Sequence, residues 1–226
     1  MRIIVVSLHR SCSTFVSRLA ANKFNLTNYG EAYMYNTEGS QNPTPEVNEN
    51  NWVLKIMGPN LLGDSFNHST YNWGDIDKII FTQRDVVSQL ASWLYVNTVY
   101  THIRPNRNTM TVTEIQNAYN TWSGPVSTSD SIFNGIKLQF DTFRAVRLDL
   151  QERYPTADVS YEMCQQEPIM AAQSLSSALG WDIQEEDIYA LQADYTQTAP
   201  DQKNYSSMIT NWSEVLEKIQ EYNIKY

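Results

Sequence analysis

The hydrophobic positions of this chain fall into short continuous runs and longer segments with helical spacing. The first run, residues 2–7, contains four consecutive β-branched residues, which is typical of a strand buried on both faces. Residues 52–57, with one lysine, and 78–82 are two further apolar runs, and 158–162 are predicted to form a short strand. Apolar residues three or four positions apart predict helices over 15–20, 85–96, 112–122, 132–153, 167–179 and 205–222.

Strands that alternate with helices indicate right-handed βαβ units. The predicted fold class is therefore α/β, a P-loop-like three-layer fold with a mainly parallel sheet flanked by helices. The polar segments 36–51 and 98–110 are predicted to be loops, and neither is long enough to separate domains. A chain of 226 residues is then expected to form a single domain over 1–226.

Charge and cysteine content narrow the functional classes. Sixteen basic against 25 acidic residues give a net charge of −9, whereas a general nucleic-acid binder has a basic surplus. An anionic small ligand still fits if the few cations converge on one pocket. The sequence shows two cysteines, no signal-peptide pattern and no apolar stretch of membrane-spanning length. We expect a reduced, cytoplasmic protein with neither nucleic acid nor membrane as a partner.

The segment between the first strand and the first helix has the composition of an anion cradle. Backbone N–H groups and the helix dipole place partial positive charge at such a turn. Ser11, Ser13 and Thr14 add hydroxyl donors, and Arg10 adds a guanidinium group. An ordinary βα turn with N-capping serines fits the same residues. The glycines and lysine of a Walker A loop are missing, which disfavours ATP hydrolysis and kinase chemistry.

Cys12 and Arg18 offer a different interpretation of this segment. Five residues separate them, which is the C-x5-R spacing of cysteine phosphatases. In that chemistry the cysteine follows the strand directly and the arginine closes the phosphate loop. Here the predicted strand ends at Ser7 and Arg18 falls inside the predicted helix. A cysteine-dependent phosphatase is therefore kept as an alternative of lower rank.

Residues 7–14, SLHRSCST, resemble the 5′-phosphosulfate loop of sulfotransferases that use 3′-phosphoadenosine 5′-phosphosulfate (PAPS), often PRSGST or PKSGTT. The matching positions are Arg10, Ser11, Ser13 and Thr14. Cys12 stands where the family usually has glycine. The resemblance implies that this loop, with His9 on its sulfate side, binds the donor.

A second segment is similar to the family's 3′-phosphate-binding segment. That segment is a strand ending in arginine, followed eight positions later by a helical serine, and residues 78–93 place Arg84 and Ser92 at this spacing. Arg84 would leave the carboxyl end of its strand, where open α/β sheets bind ligands. An exposed arginine and a helix-packing serine are the alternative. The two segments occur in the family's order.

Two shorter matches extend the resemblance. Residues 160–162 followed by Pro168 resemble the "YE…P" strand and loop of bacterial sulfotransferases, and residues 203–215 resemble their C-terminal region. In relatives the segment before the last helix closes over the cofactor. Lys203 is therefore expected either to contact a phosphate or to lie in solvent. The expected source of the protein is a bacterium or a phage.

The resemblance implies transfer of a sulfuryl group from PAPS to a hydroxyl or amine, with PAP as product and no metal. The acceptor class is a small molecule, carbohydrate or peptide. Lys55 interrupts an apolar strand, and in relatives a lysine on the equivalent strand reaches the sulfuryl or bridging oxygen. A lysine facing water on an edge strand is the alternative. A non-catalytic nucleotide-binding protein remains the third functional class.

The general base has several candidates. Glu31 follows Gly30 in a segment that resembles the "GE" turn of bacterial carbohydrate-type sulfotransferases, where a glutamate is the proposed base. A carboxylate can serve if partial burial raises its pKa. Met57 occupies the position of the histidine base of cytosolic animal enzymes. The histidines His9, His68 and His102 are the alternatives to Glu31.

Overall fold

The computed structural model describes residues 1–9, 11–31, 49–57, 76–166, 168–184, 186–187 and 204–226. The strands are β1 (Arg2–Ser7), β2 (Thr27–Glu31), β3 (Trp52–Met57), β4 (Lys78–Gln83) and β5 (Thr156–Ser160). The helices are α1 (Ser13–Phe24), α2 (Val86–Ile103), α3 (Val112–Thr121), α4 (Asp130–Arg153), α5 (Tyr161–Gln166), α6 (Pro168–Leu179), α7 (Tyr205–Met208) and α8 (Trp212–Glu221), with a 3-10 helix at Arg104–Thr109.

The five strands form one parallel sheet in the order β2-β3-β1-β4-β5. This arrangement confirms the predicted α/β class. From β1 the chain first builds β2 and β3 on one side and then β4 and β5 on the other, so the strand order reverses at β1. In the pairing register Ser7, the last residue of β1, lies beside Met57 of β3 and Thr82 of β4. Open α/β sheets bind ligands outside the carboxyl ends of the strands at such a reversal.

The chain divides into two compact units, the first comprising Met1–Asp85, Gln139–Tyr195 and Tyr226. This unit holds the whole sheet. On one face, side chains of α1 and α6, such as Val16 and Leu175, form a buried cluster with Val5 of β1. On the other face Phe81 of β4 meets Phe143 of α4 edge to face, with ring centroids 6.1 Å apart. Helix, sheet and helix thus form three layers.

The second unit comprises Val86–Leu138 and Thr196–Lys225. Its centre is the buried Tyr95 of α2, whose ring packs against Trp122 and Tyr205. The side chain of Asn211, just before α8, accepts a hydrogen bond from the backbone N–H of Val126 and donates one to its carbonyl oxygen. The prediction of a single domain over 1–226 stays a prediction. Of the helices that the structure describes, none is long and apolar enough to cross a membrane.

Several predicted element boundaries were wrong. The predicted loop 98–110 is helical as far as Ile103 and then continues as the 3-10 helix. The single predicted helix 205–222 is two helices, because Ile209 leaves the helical path to bridge Gly124. The predicted strand 158–162 lies at Thr156–Ser160, and most of the predicted loop 36–51 lies outside the described residues.

Candidate functional site

The predicted anion cradle lies at the carboxyl end of β1, where the strand order reverses. Ser11 is buried, and its hydroxyl donates to the Leu8 carbonyl oxygen at 2.7 Å. Its oxygen also lies 2.9 Å from the hydroxyl of Thr82 in β4. Because the one Ser11 proton goes to Leu8, Thr82 donates to Ser11. The Ser11 side chain therefore fixes the loop to the sheet. The sequence had not indicated Thr82 as a site residue.

Cys12 shapes the turn into α1. Its backbone is left-handed, with φ 61° and ψ 12°, a region that glycine enters readily and other residues rarely. The position is the one where the resembled loop has glycine. Cys12 is the N-cap of α1, and its side chain makes no capping hydrogen bond. The Cys12 side chain therefore accepts no hydrogen bond from the backbone N–H groups of the first turn. The partial positive charge of these groups, at Ser13 and Thr14, faces the loop.

Three predicted site residues meet beside this first turn. Lys55 of β3 is 4% exposed, and its ammonium group donates to the Thr14 hydroxyl at 2.8 Å. The same Nζ lies 2.8 Å from a carboxylate oxygen of Glu31 at the end of β2. The pairing register sets Glu31 opposite Lys55. Lys55 is thus a buried cation of a strand between two neighbours, not a lysine of an edge strand facing water.

Met57 forms the floor of the cradle at the end of β3. Its buried sulfur accepts a hydrogen bond from Ser7 at 2.9 Å and a longer one from Ser13 at 3.7 Å. A thioether accepts hydrogen bonds weakly and takes no proton at ordinary pH. Met57 therefore supports the cradle hydroxyls and cannot act as a base.

Arg84 follows β4, and its side chain packs against the ring of Tyr161. It is 8% exposed, and its guanidinium carbon lies 3.9 Å from the centroid of the Tyr161 ring, within cation–π distance. Its backbone N–H donates to the Tyr226 hydroxyl at 3.3 Å. The next N–H, that of Asp85, donates to Glu162 at 3.1 Å. The dipeptide Tyr161-Glu162 of the "YE" match thus orients the turn that carries Arg84.

Tyr226 was not predicted from the sequence. Its ring packs against Phe140 and Phe143 of α4, with centroids 5.1 and 5.7 Å away. Burial raises the pKa of its phenol above the ordinary value of 10.0, so the hydroxyl remains protonated over the usual pH range. No motif marks this position, because its contacts are long-range and set by the packing of α4 against the sheet.

The other predicted residues take varied positions. Ser92 is fully buried in α2, in the second unit. His9 is half-buried in the turn after β1, whereas His102 is exposed in the last turn of α2. Arg10, His68 and Lys203 lie outside the described residues.

The phosphatase alternative meets two obstacles. The Cys12 thiol donates to the Cys164 sulfur at 3.0 Å, and burial, with Cys164 and Glu162 close by, raises its pKa well above the ordinary value. Cysteine phosphatases need a thiolate nucleophile, which requires the opposite shift. Arg18 is exposed within α1. Among the described side chains, no group of three or more His, Cys, Asp or Glu is placed to hold a metal ion.

Comparison with known proteins gives a structural similarity only. No protein-family model matches the chain, and no curated protein matches its sequence. The fold is similar to that of mouse sulfotransferase SULT7A1 in a crystal structure with PAP. The two share 11% sequence identity with a TM-score of 0.48, over 98% of this chain and 82% of the mouse protein. At that identity the similarity concerns the fold alone.

Proposed function

We propose that this chain is a sulfotransferase that moves a sulfuryl group from PAPS to a hydroxyl or amine of a small-molecule, carbohydrate or peptide acceptor. The observation that carries the proposal is the meeting of Lys55, Glu31 and Thr14 at the start of α1. A buried ammonium group beside a helix N-terminus makes a site for an anion. Its partner Glu31 offers a carboxylate at the same place.

Each end of the donor has candidate ligands. The loop Ser7–Thr14 and Lys55 suit the 5′-phosphosulfate, with Arg10 and His9 as further expected contacts. Arg84 suits the 3′-phosphate, because the Tyr161 ring orients its guanidinium group at the carboxyl end of β4. Ser92 and Lys203 remain expected 3′-phosphate ligands from the sequence match.

The ion pair suggests how binding prepares the chemistry. In the structure Lys55 neutralises Glu31 across 2.8 Å. An incoming phosphosulfate competes for the same ammonium group and so leaves Glu31 available to accept a proton. The acceptor oxygen then attacks sulfur, the bond from sulfur to the phosphate oxygen breaks, and Lys55 stabilises the charge on the departing oxygen of PAP. The acceptor proton goes to Glu31.

The binding half of the proposal is tested by thermal-shift titration with PAP, with ATP and inorganic phosphate as comparison ligands. At 100 times its dissociation constant, PAP should add about 2.7 kcal/mol to the free energy of unfolding, a rise of about 5–10 °C in Tm. Arg84→Ala should abolish the shift. Arg144→Ala, which removes an arginine from an exposed pair with Asp141, should keep it. No shift in folded wild-type protein would refute the proposal.

The catalytic half is tested with Glu31→Gln and radiolabelled PAPS in an acceptor screen. We expect Glu31→Gln to lower kcat about 10²–10⁴-fold while the PAP shift stays, because general-base catalysis contributes that much. Turnover within threefold of wild type would exclude Glu31 as the base and favour His9. Undiminished PAP binding by wild type with no transfer to any acceptor would instead favour a non-catalytic nucleotide-binding protein.

A further inference from the structure

The two cysteines of the chain, far apart in sequence, meet beside the cradle. Cys12 ends the loop that precedes α1, and Cys164 lies in α5, which follows β5 directly. Their sulfur atoms are 3.0 Å apart, and both thiols are free. The proposed transfer reaction uses neither thiol.

We propose that Cys12 and Cys164 form an oxidisable dithiol, which reacts with a low-molecular-weight disulfide such as oxidised glutathione and joins the anion cradle to α5 by a disulfide bond. The half-buried Cys12 attacks the glutathione disulfide, forms a mixed disulfide and releases one glutathione. Cys164 then attacks the Cys12 sulfur and releases the second. Two protein thiols are oxidised, one glutathione disulfide is reduced to two thiols, and the two protons pass to the released glutathione.

The geometry favours this pair over other outcomes. A disulfide places its sulfurs about 2.05 Å apart, so the two atoms need to approach by only about 1 Å. The sequence contains no third cysteine, so the only disulfide within one chain joins these two residues. Cys164 is 5% exposed and Cys12 more so, which makes Cys12 the entry point for the reagent.

The surroundings set the speed of the reaction. Burial raises the pKa of the Cys12 thiol, Cys164 and Glu162 close by raise it further, and Arg84 lowers it. The Ser160 carbonyl oxygen also faces the thiol, at 4.0 Å from its sulfur. Since the thiolate is the attacking species, exchange at neutral pH should be slow and should quicken at alkaline pH. The equilibrium between the dithiol and the disulfide does not depend on this rate. It depends on how close together the folded chain holds the two sulfur atoms.

The equilibrium is measured with the full-length chain in glutathione redox buffers, in native solution and in concentrated guanidinium chloride. Samples are quenched with acid and resolved by intact mass. In the native state the effective concentration of the dithiol should be at least about 100-fold higher than in the denatured state, because the folded chain has already closed the long loop between the cysteines. By thermodynamic linkage the oxidised protein should also melt at a higher temperature, reversibly on addition of dithiothreitol.

Cys164→Ala is the matched control, since it keeps Cys12 but removes the resolving thiol. This variant should stop at a single glutathione adduct, whereas the wild type should pass to a species two hydrogens lighter than the reduced chain. Equal effective concentrations in the native and denatured states would overturn the proposal, and so would a lasting glutathione adduct on the native wild type or a lower Tm after oxidation. None of these readouts depends on PAP binding or on turnover.

Discussion

At the scale of single residues, Cys12 combines a strained backbone with a buried side-chain contact. Cys12 adopts a left-handed backbone conformation with φ 61°, a region that glycine enters without strain. A side chain in this region costs about 1–2 kcal/mol relative to ordinary backbone. The contact between the Cys12 thiol and Cys164 offsets part of this backbone cost.

This account predicts how two small substitutions differ. Cys12→Gly and Cys12→Ala both remove the sulfur contact, but only glycine relieves the left-handed strain. We expect Cys12→Gly to exceed Cys12→Ala in free energy of unfolding by about 1 kcal/mol, measured by urea unfolding. Alanine at the same position is the matched control for the lost thiol. Equal stabilities, or a more stable alanine variant, would show that Cys12 is not strained.

Residue-level prediction named candidate side chains but not the contacts among them. Lys55, Glu31 and Thr14 were each identified from the sequence as site residues. Their mutual contacts were not, because they bring β3, β2 and α1 together and no spacing along the chain encodes them. Thr82 and Tyr226 were missed for the same reason. Thr82 lies in the segment 78–93 but is not one of its matched positions, and Tyr226 lies outside every matched segment. Each contacts its partner across many residues of sequence.

At the scale of elements, the start of α5 holds the end of β4. The Tyr161 ring lies under the Arg84 guanidinium group, and Glu162 accepts from the backbone after it. We expect Tyr161→Leu to weaken PAP binding about 5–30-fold in the titration described above, because a desolvated cation–π contact contributes about 1–2 kcal/mol. Tyr161→Phe keeps the ring and should bind as the wild type does. Equal loss in both variants would assign the effect to the hydroxyl instead of the ring face.

A second element-level device lies in the unit that holds Tyr95. The Asn211 side chain accepts from the Val126 N–H at 2.9 Å and donates to its carbonyl at 3.0 Å, which reproduces one rung of a strand ladder. Asn211→Ala leaves both groups of the buried Val126 without this partner, and we expect a loss of about 2 kcal/mol in thermal or urea unfolding. Asn97→Ala, which removes an exposed bond within α2, is the control and should cost under about 0.5 kcal/mol. Equal losses would rule out the ladder-like role.

Element prediction failed where tertiary contacts override local pattern. The helix α2 continues past the predicted end because Val99 and Ile103 extend its buried stripe, and the Thr98 and Thr101 hydroxyls bond carbonyls one turn back. The strand β2 has a polar sequence and a register irregularity, so the hydrophobic pattern did not reveal it. The buried strands β1, β3 and β4 were predicted because continuous apolar runs of that length suit a parallel sheet.

At the scale of the whole molecule, the sequence predicts a parallel sheet but not the order of its strands. Hydrophobic runs show which segments are buried, and the rule of right-handed crossovers limits their connections. The order itself depends on which strand pairs with which, and here that places β1 between β3 and β4. This order matters for the site, because it brings the carboxyl ends of β1, β3 and β4 to one edge of the sheet.

The stability of the molecule should fall in alkaline solution. Burial raises the pKa of Tyr95 from 10.0 to about 12, and it raises the pKa of Cys12 above 9.0 and that of Tyr226 above 10.0. A folded state with raised pKa values holds its protons more tightly than the unfolded chain. The stabilisation is therefore complete below the unfolded pKa values and is lost as pH rises through the folded ones. Carboxylates cannot produce this trend, because they titrate several pH units lower.

We expect the Tm to be nearly constant between about pH 7 and 8.5 and to decline steadily from about pH 9 to 12. Cys12→Ala should remove the part of the decline that begins near pH 9, because of the three buried groups with raised pKa values the Cys12 thiol has the lowest ordinary pKa. Tyr95→Phe should be less stable at neutral pH, since the Tyr119 and Trp122 carbonyls lose their donor, yet its Tm should fall less steeply above pH 10. Scanning calorimetry across this range at constant ionic strength separates the two contributions. Parallel curves for all three proteins would mean that neither Cys12 nor Tyr95 governs the alkaline transition, which would then depend on Tyr226 or on repulsion among the acidic residues of this chain, with its net charge of −9.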